Sequence, residues 1–332
     1  MAILRRINSN AATDKTTGFG TNSAMYGGRL VNSNGRPNIR KTGIGFFDGL
    51  SWYHTLIEMP RWKFLAIIFI YFLLINLVFA GIYLAVGVEH LNGMQAATSS
   101  QKFIEAYFFS AQTFTTVGYG RINPTGYVMS FVAALEAFTG LLFFALATGL
   151  FYARFSRPQA FLRFSGNALI APFNNDVALM LRMAPFKNNY LTDAEVKVTL
   201  AMIVEENGRQ VNRFFPLELE YSKVNALTLS WTVVHPITAE SPLIDLTEED
   251  LHNLKAEVLV FVKAFDETFS NTVVARTSYT ASEIIWGARF VPMYNRSANS
   301  QHTIIKMDKL NEHEPTDISA ALNARDRQYN TQ

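Results

Sequence analysis

The chain has 332 residues, 49% of them hydrophobic and only 17% charged, where an ordinary soluble domain carries about 25% charged residues. A formal net charge of +2, with no stripe of basic residues, gives no footprint for nucleic acid. With no cysteine, and six histidines (His54, His90, His235, His252, His302, His313) at no ligand spacing, disulfide frameworks, thiol nucleophiles and cysteine-based metal sites are excluded.

Residues 1–45 are rich in Asn, Ser, Thr and Gly without a hydrophobic period, and predict a flexible cytoplasmic arm. Over 46–59, Phe46, Leu50, Tyr53 and Ile57 recur at helical spacing, with Asp48, Ser51, His54 and Glu58 between them, up to Pro60. That pattern is an amphipathic helix. Placed directly before an apolar span it reads as an interfacial helix, the other reading being a helix packed on the soluble part.

Phe64 to Val88 runs 25 residues without a charge, Asn76 being its one strongly polar side chain, and Tyr127 to Tyr152 runs 26 residues with a single charge, Glu136. Each exceeds the roughly 20 residues needed to span a bilayer as a helix. Between them, Gln101 to Thr113 reads as a short aromatic-rich helix leading to Thr116-Val117-Gly118-Tyr119-Gly120. Alternating glycines suit neither a helix nor an ordinary strand. They suit a stretched backbone whose carbonyls face an axis, and the pentapeptide matches the signature of a potassium filter, in which four such loops replace the ion's hydration shell. Non-helical backbone at membrane depth is tolerated only in protein or along a watery path, so residues 60–158 read as a two-span transmembrane pore domain with a re-entrant pore helix.

Lys and Arg cluster before the first span and just after the second (Arg154, Arg157, Arg163), while the connector holds only Lys102 and Arg121; the positive-inside rule places both termini in the cytoplasm. The first apolar run starts after residue 60, so no signal peptide is expected. Beyond Pro158 the period becomes alternating, with strands predicted over 176–183, 195–204, 217–221, 227–234, 258–264, 272–277, 284–290 and 303–307. Asn207-Gly208 marks a hairpin, and Thr247 caps a short helix through about Lys255. Many short strands imply an all-β sandwich over 159–311, followed by a polar, frayed tail over 312–332.

These features, together with Arg61-Trp62-Lys63, Phe108-Phe109-Ser110, Ala153 to Pro158, His235 to Leu246, Ala275 to Tyr279 and Glu283 to Gly287, resemble the inward-rectifier potassium channels, most of all their prokaryotic branch, from about Phe46 to Asn311. The resemblance implies a homotetramer with an immunoglobulin-like cytoplasmic domain in the bacterial inner membrane, with K+ as permeant ligand, no cofactor, no nucleic-acid partner and no enzymatic activity. K+ would be coordinated at Thr116, Val117, Gly118 and Tyr119. The resemblance puts Phe144, Thr148 and Tyr152 on the inner pore, Tyr152 being alternatively an interfacial aromatic anchor, with Glu136 a further candidate there, Gly140 and Gly149 as hinges or as points of close helix packing, and Thr268, Phe269, Ser270, Asn271 and Thr272 as a cytoplasmic loop gate. Arg61, Trp62, Lys63, Arg154 and Arg157 are candidates for anionic lipid headgroups.

Three departures from the family pattern qualify this. Phe144 and Lys263 stand where strongly rectifying relatives have acids, so rectification is expected to be weak unless Glu136 faces the cavity; Glu136 bonding behind the pore helix is the alternative. Gln112 stands where relatives have a filter-bracing glutamate, which leaves Arg121 without its expected partner. Two competing readings are a two-span potassium channel with a different ligand-sensing domain, and a membrane-anchored sensor whose pore does not conduct.

Overall fold

The computed structural model describes residues 13–14, 17–20, 28–43, 45, 51–174, 176–206, 208–296 and 302–319. The chain divides into two compact units, one of residues 42–157 and one of residues 1–41 with 158–332.

In the first unit α1 (Trp52–Glu58) precedes α2 (Arg61–Val86), α3 (Ser99–Phe114) and α4 (Tyr127–Phe155). Phe46, Asp48 and Leu50 of the expected interfacial helix lie outside the described residues. Pro60, whose missing N–H costs nothing at a helix start, separates α1 from α2. Thr98 and Gln101 form a reciprocal capping box at the start of α3, satisfying two orphan amides. The short strands β1 (Leu91–Asn92) and β2 (Asn123–Pro124) pair antiparallel and tie the two connectors together. With 26 and 29 residues, α2 and α4 reach roughly 39 and 44 Å at 1.5 Å per residue, more than the ~30 Å hydrocarbon core. Phe69, Leu74, Phe138 and Leu141 on them are exposed within the chain. So much apolar surface is what lipid or further copies of the chain cover, not water. Rings lock the helices where they do meet: Phe64 on Phe151, Tyr71 on Phe143 and Tyr83 on Phe109, with centroids 5.1, 4.9 and 5.1 Å apart.

The named elements of the second unit, among the described residues, are strands, α5 (Glu248–Asn253) and two 3₁₀ turns. Its strands are β3 (Leu162–Phe164), β4 (Ala168–Phe173), β5 (Asp176–Pro185), β6 (Leu191–Glu206), β7 (Arg209–Leu217), β8 (Lys223–Leu227), β9 (Trp231–Pro236), β10 (Glu257–Asp266), β11 (Asn271–Thr280), β12 (Ile284–Trp286), β13 (Ala288–Phe290), β14 (Tyr294–Arg296), β15 (Thr303–Ile305) and β16 (His313–Pro315). One five-stranded sheet runs β11-β10-β6-β7 with β8 also on β6; the other runs β12-β4-β5-β3 with β9 also on β5. Leu179 and Leu181 from the second sheet and Leu200, Val258 and Val260 from the first are all buried in one shared core, which makes the unit a sandwich.

Several strand expectations are corrected. Residues 209–217 form a strand that pairs with β6 from Glu206↔Arg209 onward, whereas 218–221 do not; Phe214, Phe215 and Pro216 break the alternation that marks a strand. The expected strand over 227–234 is two, β8 and β9. That over 284–290 is broken at Gly287, at φ 67, whose N–H donates to the Ile170 carbonyl and whose carbonyl accepts from Thr316 N–H. β3, β4, β14 and β16 were not expected at all. Since β16 pairs with β13, the chain from 313 to 315 is not a frayed tail. Asn207 lies outside the described residues; the hairpin it was read to mark is the β6–β7 connection.

The arm is also corrected for residues 28–40. Leu30 and Val31 are each 7% exposed, and their N–H groups donate to the two oxygens of buried Glu257 at 2.6 and 3.0 Å. Arg29 pairs with Glu283 at 2.9 Å and donates to Ser278 Oγ at 2.9 Å. Burial of two aliphatic side chains does not by itself offset the entropy of ordering such a segment; the carboxylate–amide and guanidinium contacts hold it as well, and composition gives no sign of them.

Candidate functional site

The segment after α3 is built on that helix. Thr116 N–H donates to the Thr113 carbonyl at 3.1 Å, and Val117 and Gly118 N–H both donate to the Gln112 carbonyl, at 2.9 and 3.4 Å. Beyond this, φ is positive at every second residue: 60° at Thr116, 49° at Gly118 and 84° at Gly120. Carbonyls of an ordinary strand alternate sides. Reversing the sign of φ at alternate residues turns over each second peptide and brings successive carbonyls out on one side. Glycine accepts this without strain, but Thr116, β-branched, is held at a cost of ~1–3 kcal/mol, and such outliers cluster at functional sites. All five residues are exposed in the single chain, Val117 at 52% and Tyr119 at 80%. An added Cβ on Gly118 or Gly120 would meet nothing within 4 Å, so backbone conformation, not crowding, requires glycine there.

Helix α4 has two faces. Phe144, Thr148 and Tyr152, spaced by four, are all exposed and form one stripe. Glu136 is not on it. It is fully buried, accepting hydrogen bonds from the Tyr83 hydroxyl of α2 and the Ser110 hydroxyl of α3. Of the two readings of Glu136, the cavity-facing one gives way to the other, because α4 turns this residue towards Ser110 of α3 and Tyr83 of α2. Gly140, one turn on, shares that face: an added Cβ would come within 2.0 Å of the Phe114 carbonyl oxygen. The hinge reading of Gly140 thus gives way to close packing of α4 on the end of α3. Nothing lies within 4 Å of a Cβ on Gly149.

Arg121 is not without a partner. Its Nη1 lies 3.4 Å from Glu105 Oε1 and 3.4 Å from the Gly93 carbonyl. Glu105 also accepts from Gln95 N–H at 3.1 Å. Position 112 is not where the charge sits. The carboxylate beside Arg121 is Glu105, two turns earlier on α3, and an acid near the helix start with a lone arginine in the connector was the sequence signal for it.

The basic residues at the ends of α2 and α4 behave differently. Arg61, Trp62 and Lys63 are exposed, with Lys63 Nζ 5.4 Å from the Trp62 ring centre. Arg154 instead donates to the Leu56, Ile57 and Met59 carbonyls and stacks on Phe64. A cation capping the last carbonyls of α1 is favourable there. Arg157 pairs with Glu58 at 3.3 Å.

In the β unit, residues 267–270 close the β10–β11 hairpin, and Asp266 Oδ1 accepts from Thr268 and Phe269 N–H at 2.8 and 3.3 Å. Ser270 has φ 47, and Thr268 to Thr272 are exposed. Lys263 is exposed on β10, opposite Glu195 of β6. His235 is buried, with Nδ1–H donating to the Glu218 carbonyl at 2.5 Å and Nε2 accepting from Ser241 Oγ at 2.8 Å. Burial pushes its pKa down to about 4. Tyr279, buried and donating to the Ser165 carbonyl at 3.0 Å, is pushed up to about 12 by the same cause. Both are framework residues. Among the described residues no group of three or more His, Asp or Glu is placed to hold a metal ion.

Comparison with known proteins bears on both units. The model for the inward rectifier potassium channel C-terminal domain matches residues 162–331, and that for the ion channel family matches 67–157. The inward rectifier potassium channel Kirbac3.1 of Paramagnetospirillum magnetotacticum is 36% identical over 270 residues, covering 80% of this chain and 89% of that protein. Inward rectifier potassium channel irk-1 of Caenorhabditis elegans is 25% identical over 325 residues, 90% of this chain and 59% of the relative. The ATP-sensitive inward rectifier potassium channel 12 of Gallus gallus is 26% identical over 297 residues, 82% and 68% respectively. The match over 162–331 removes the reading of a different ligand-sensing domain, and the chain belongs to the inward rectifier potassium channel family.

Proposed function

We propose that four copies of this chain form a passive, potassium-selective channel in the bacterial inner membrane, with both termini in the cytoplasm. The observation that carries the reading is the run of alternating φ over Thr116 to Gly120, hung on the end of a helix set between two apolar spans. One chain supplies a quarter of each carbonyl ring, so a closed four-fold assembly is required. The carbonyls of Thr116, Val117, Gly118 and Tyr119, with the Thr116 hydroxyl, replace the water around K+ at several adjacent sites, and neighbouring ions displace one another. The negative end of the α3 dipole favours a cation at that end of the helix.

The exposed stripe Phe144, Thr148, Tyr152 lines the inner pore, with Tyr152 as an inner constriction and Thr268 to Thr272 as a second, cytoplasmic one. Rectification is weak: Phe144 and Lys263 supply no carboxylate, and Glu136 is spent behind the pore helix. Lipid control, where present, acts through Arg61, Trp62 and Lys63, because Arg154 and Arg157 are engaged with α1. Reversal potentials in planar bilayers under a potassium–sodium gradient test this reading, with spermine added to one side. The expected result is a reversal potential close to that for K+ and little voltage-dependent block. A reversal potential near zero contradicts the reading of a selective filter.

A further inference from the structure

Among the described residues, the buried polar side chains of the helical unit gather at one spot behind α3, away from the exposed stripe of α4. Asn76, Ser110 and Glu136 each have 0% exposure, as does the Tyr83 side chain beside them. They come from three helices: Asn76 and Tyr83 from α2, Ser110 from α3, Glu136 from α4. The Tyr83 hydroxyl donates to Glu136 Oε2 and the Ser110 hydroxyl to Glu136 Oε1. Ser110 Oγ also lies 3.0 Å from Asn76 Oδ1, while Asn76 Nδ2 donates to the Phe72 carbonyl at 2.6 Å. An acid inside a span is costly, and it is kept where it does work.

Ser110 lies two residues before Gln112, the residue whose carbonyl receives the amides of Val117 and Gly118. A tilt of α3 about Ser110 therefore carries the first filter residues with it. One turn beyond Glu136 on α4, Gly140 brings that helix against the Phe114 carbonyl at the end of α3. The pore helix is thus held to α4 at two successive turns, once by hydrogen bonds and once by backbone contact. Arg121 and Glu105 meet towards the exposed start of α3, whereas Glu136 bonds Ser110 close to the end of that helix that leads into the filter.

Resting on the proposal of a selective channel, we infer that Glu136, acting through Ser110 and Tyr83, is a positioning residue of the filter and sets its discrimination of K+ from Na+. The test uses full-length protein, taking only the tetrameric fraction from gel filtration, and reads the K+/Na+ permeability ratio from reversal potentials. The variants are Ser110→Ala, Ser110→Thr and Tyr83→Phe. Tyr83→Phe removes one oxygen and keeps the ring packed on Phe109, whose centroid is 5.1 Å away. Ser110→Ala and Tyr83→Phe are each expected to lower the ratio by about fivefold or more, the scale of one lost buried hydrogen bond, while Ser110→Thr keeps the wild-type ratio. Unchanged selectivity in both, or a loss at Ser110→Ala that Ser110→Thr does not restore, overturns the inference. Wild-type protein that fails to discriminate the two ions refutes the proposed function instead.

Discussion

Gly140 and Gly149 look alike in the sequence, two glycines in one apolar helix, yet their surroundings are opposite. A methyl group on Gly140 would have to displace the backbone of Phe114, since the gap is 2.0 Å, and backbone cannot step aside as a flexible side chain does. Overpacking of this kind costs typically ~1–3 kcal/mol. Gly140→Ala is therefore expected to lower the thermal midpoint of the purified protein by several degrees and to reduce flux, with Gly149→Ala close to wild type in both. Equal effects at the two positions would show that helix flexibility, not packing, is what glycine supplies. His235 makes a second residue-scale prediction. Its folded pKa, about 4, lies below the ordinary value of about 6.5, so the unfolded chain takes up the proton first. Stability of the β unit is thus fully present above about pH 6.5 and declines as pH falls towards 4, by roughly 3 kcal/mol at most. Hydrogen exchange in β9 at pH 7 and pH 5 checks this. His235→Gln should flatten the dependence, and an unchanged slope would assign it to other groups. What the residue patterns concealed was direction: Glu136 was conspicuous as the one charge in its span, but only the packing of three helices shows which way it turns.

At the scale of elements, the helices were legible because long apolar runs, Pro60 and the cap at Thr247 are local signals. Arms and edges were not. The segment carrying Leu30 and Val31 is held by Glu257 and Glu283, more than 200 positions away in sequence, and no window of composition contains such a partnership. The same holds for β16, which forms only because β13 offers an edge. α1 is a similar case. It has seven residues and buries none of them, too short to be stable alone, so Arg154 of α4 holds its end through three carbonyls. Removing those donors with Arg154→Ala should speed amide exchange at Met59 and its neighbours about tenfold or more, given ~1.5–3 kcal/mol for hydrogen bonds involving a charged group. Exchange rates equal to wild type would mean that α1 is held by something else.

For the whole molecule, the division into a two-span helical unit and a β-sandwich was readable from the change of period near Pro158. Assembly is a different matter. Among the described residues of one chain, the exposed apolar side chains of α2 and α4 and the carbonyls of Thr116 to Gly120 find no partner, and a membrane and further copies of the chain would supply them. Reconstituting the purified protein in liposomes and comparing potassium with sodium flux tests that account most directly. The account predicts potassium flux that sodium does not replace, that barium stops, and that Gly118→Ala abolishes. Equal flux of the two ions, or flux that persists in Gly118→Ala, would contradict it.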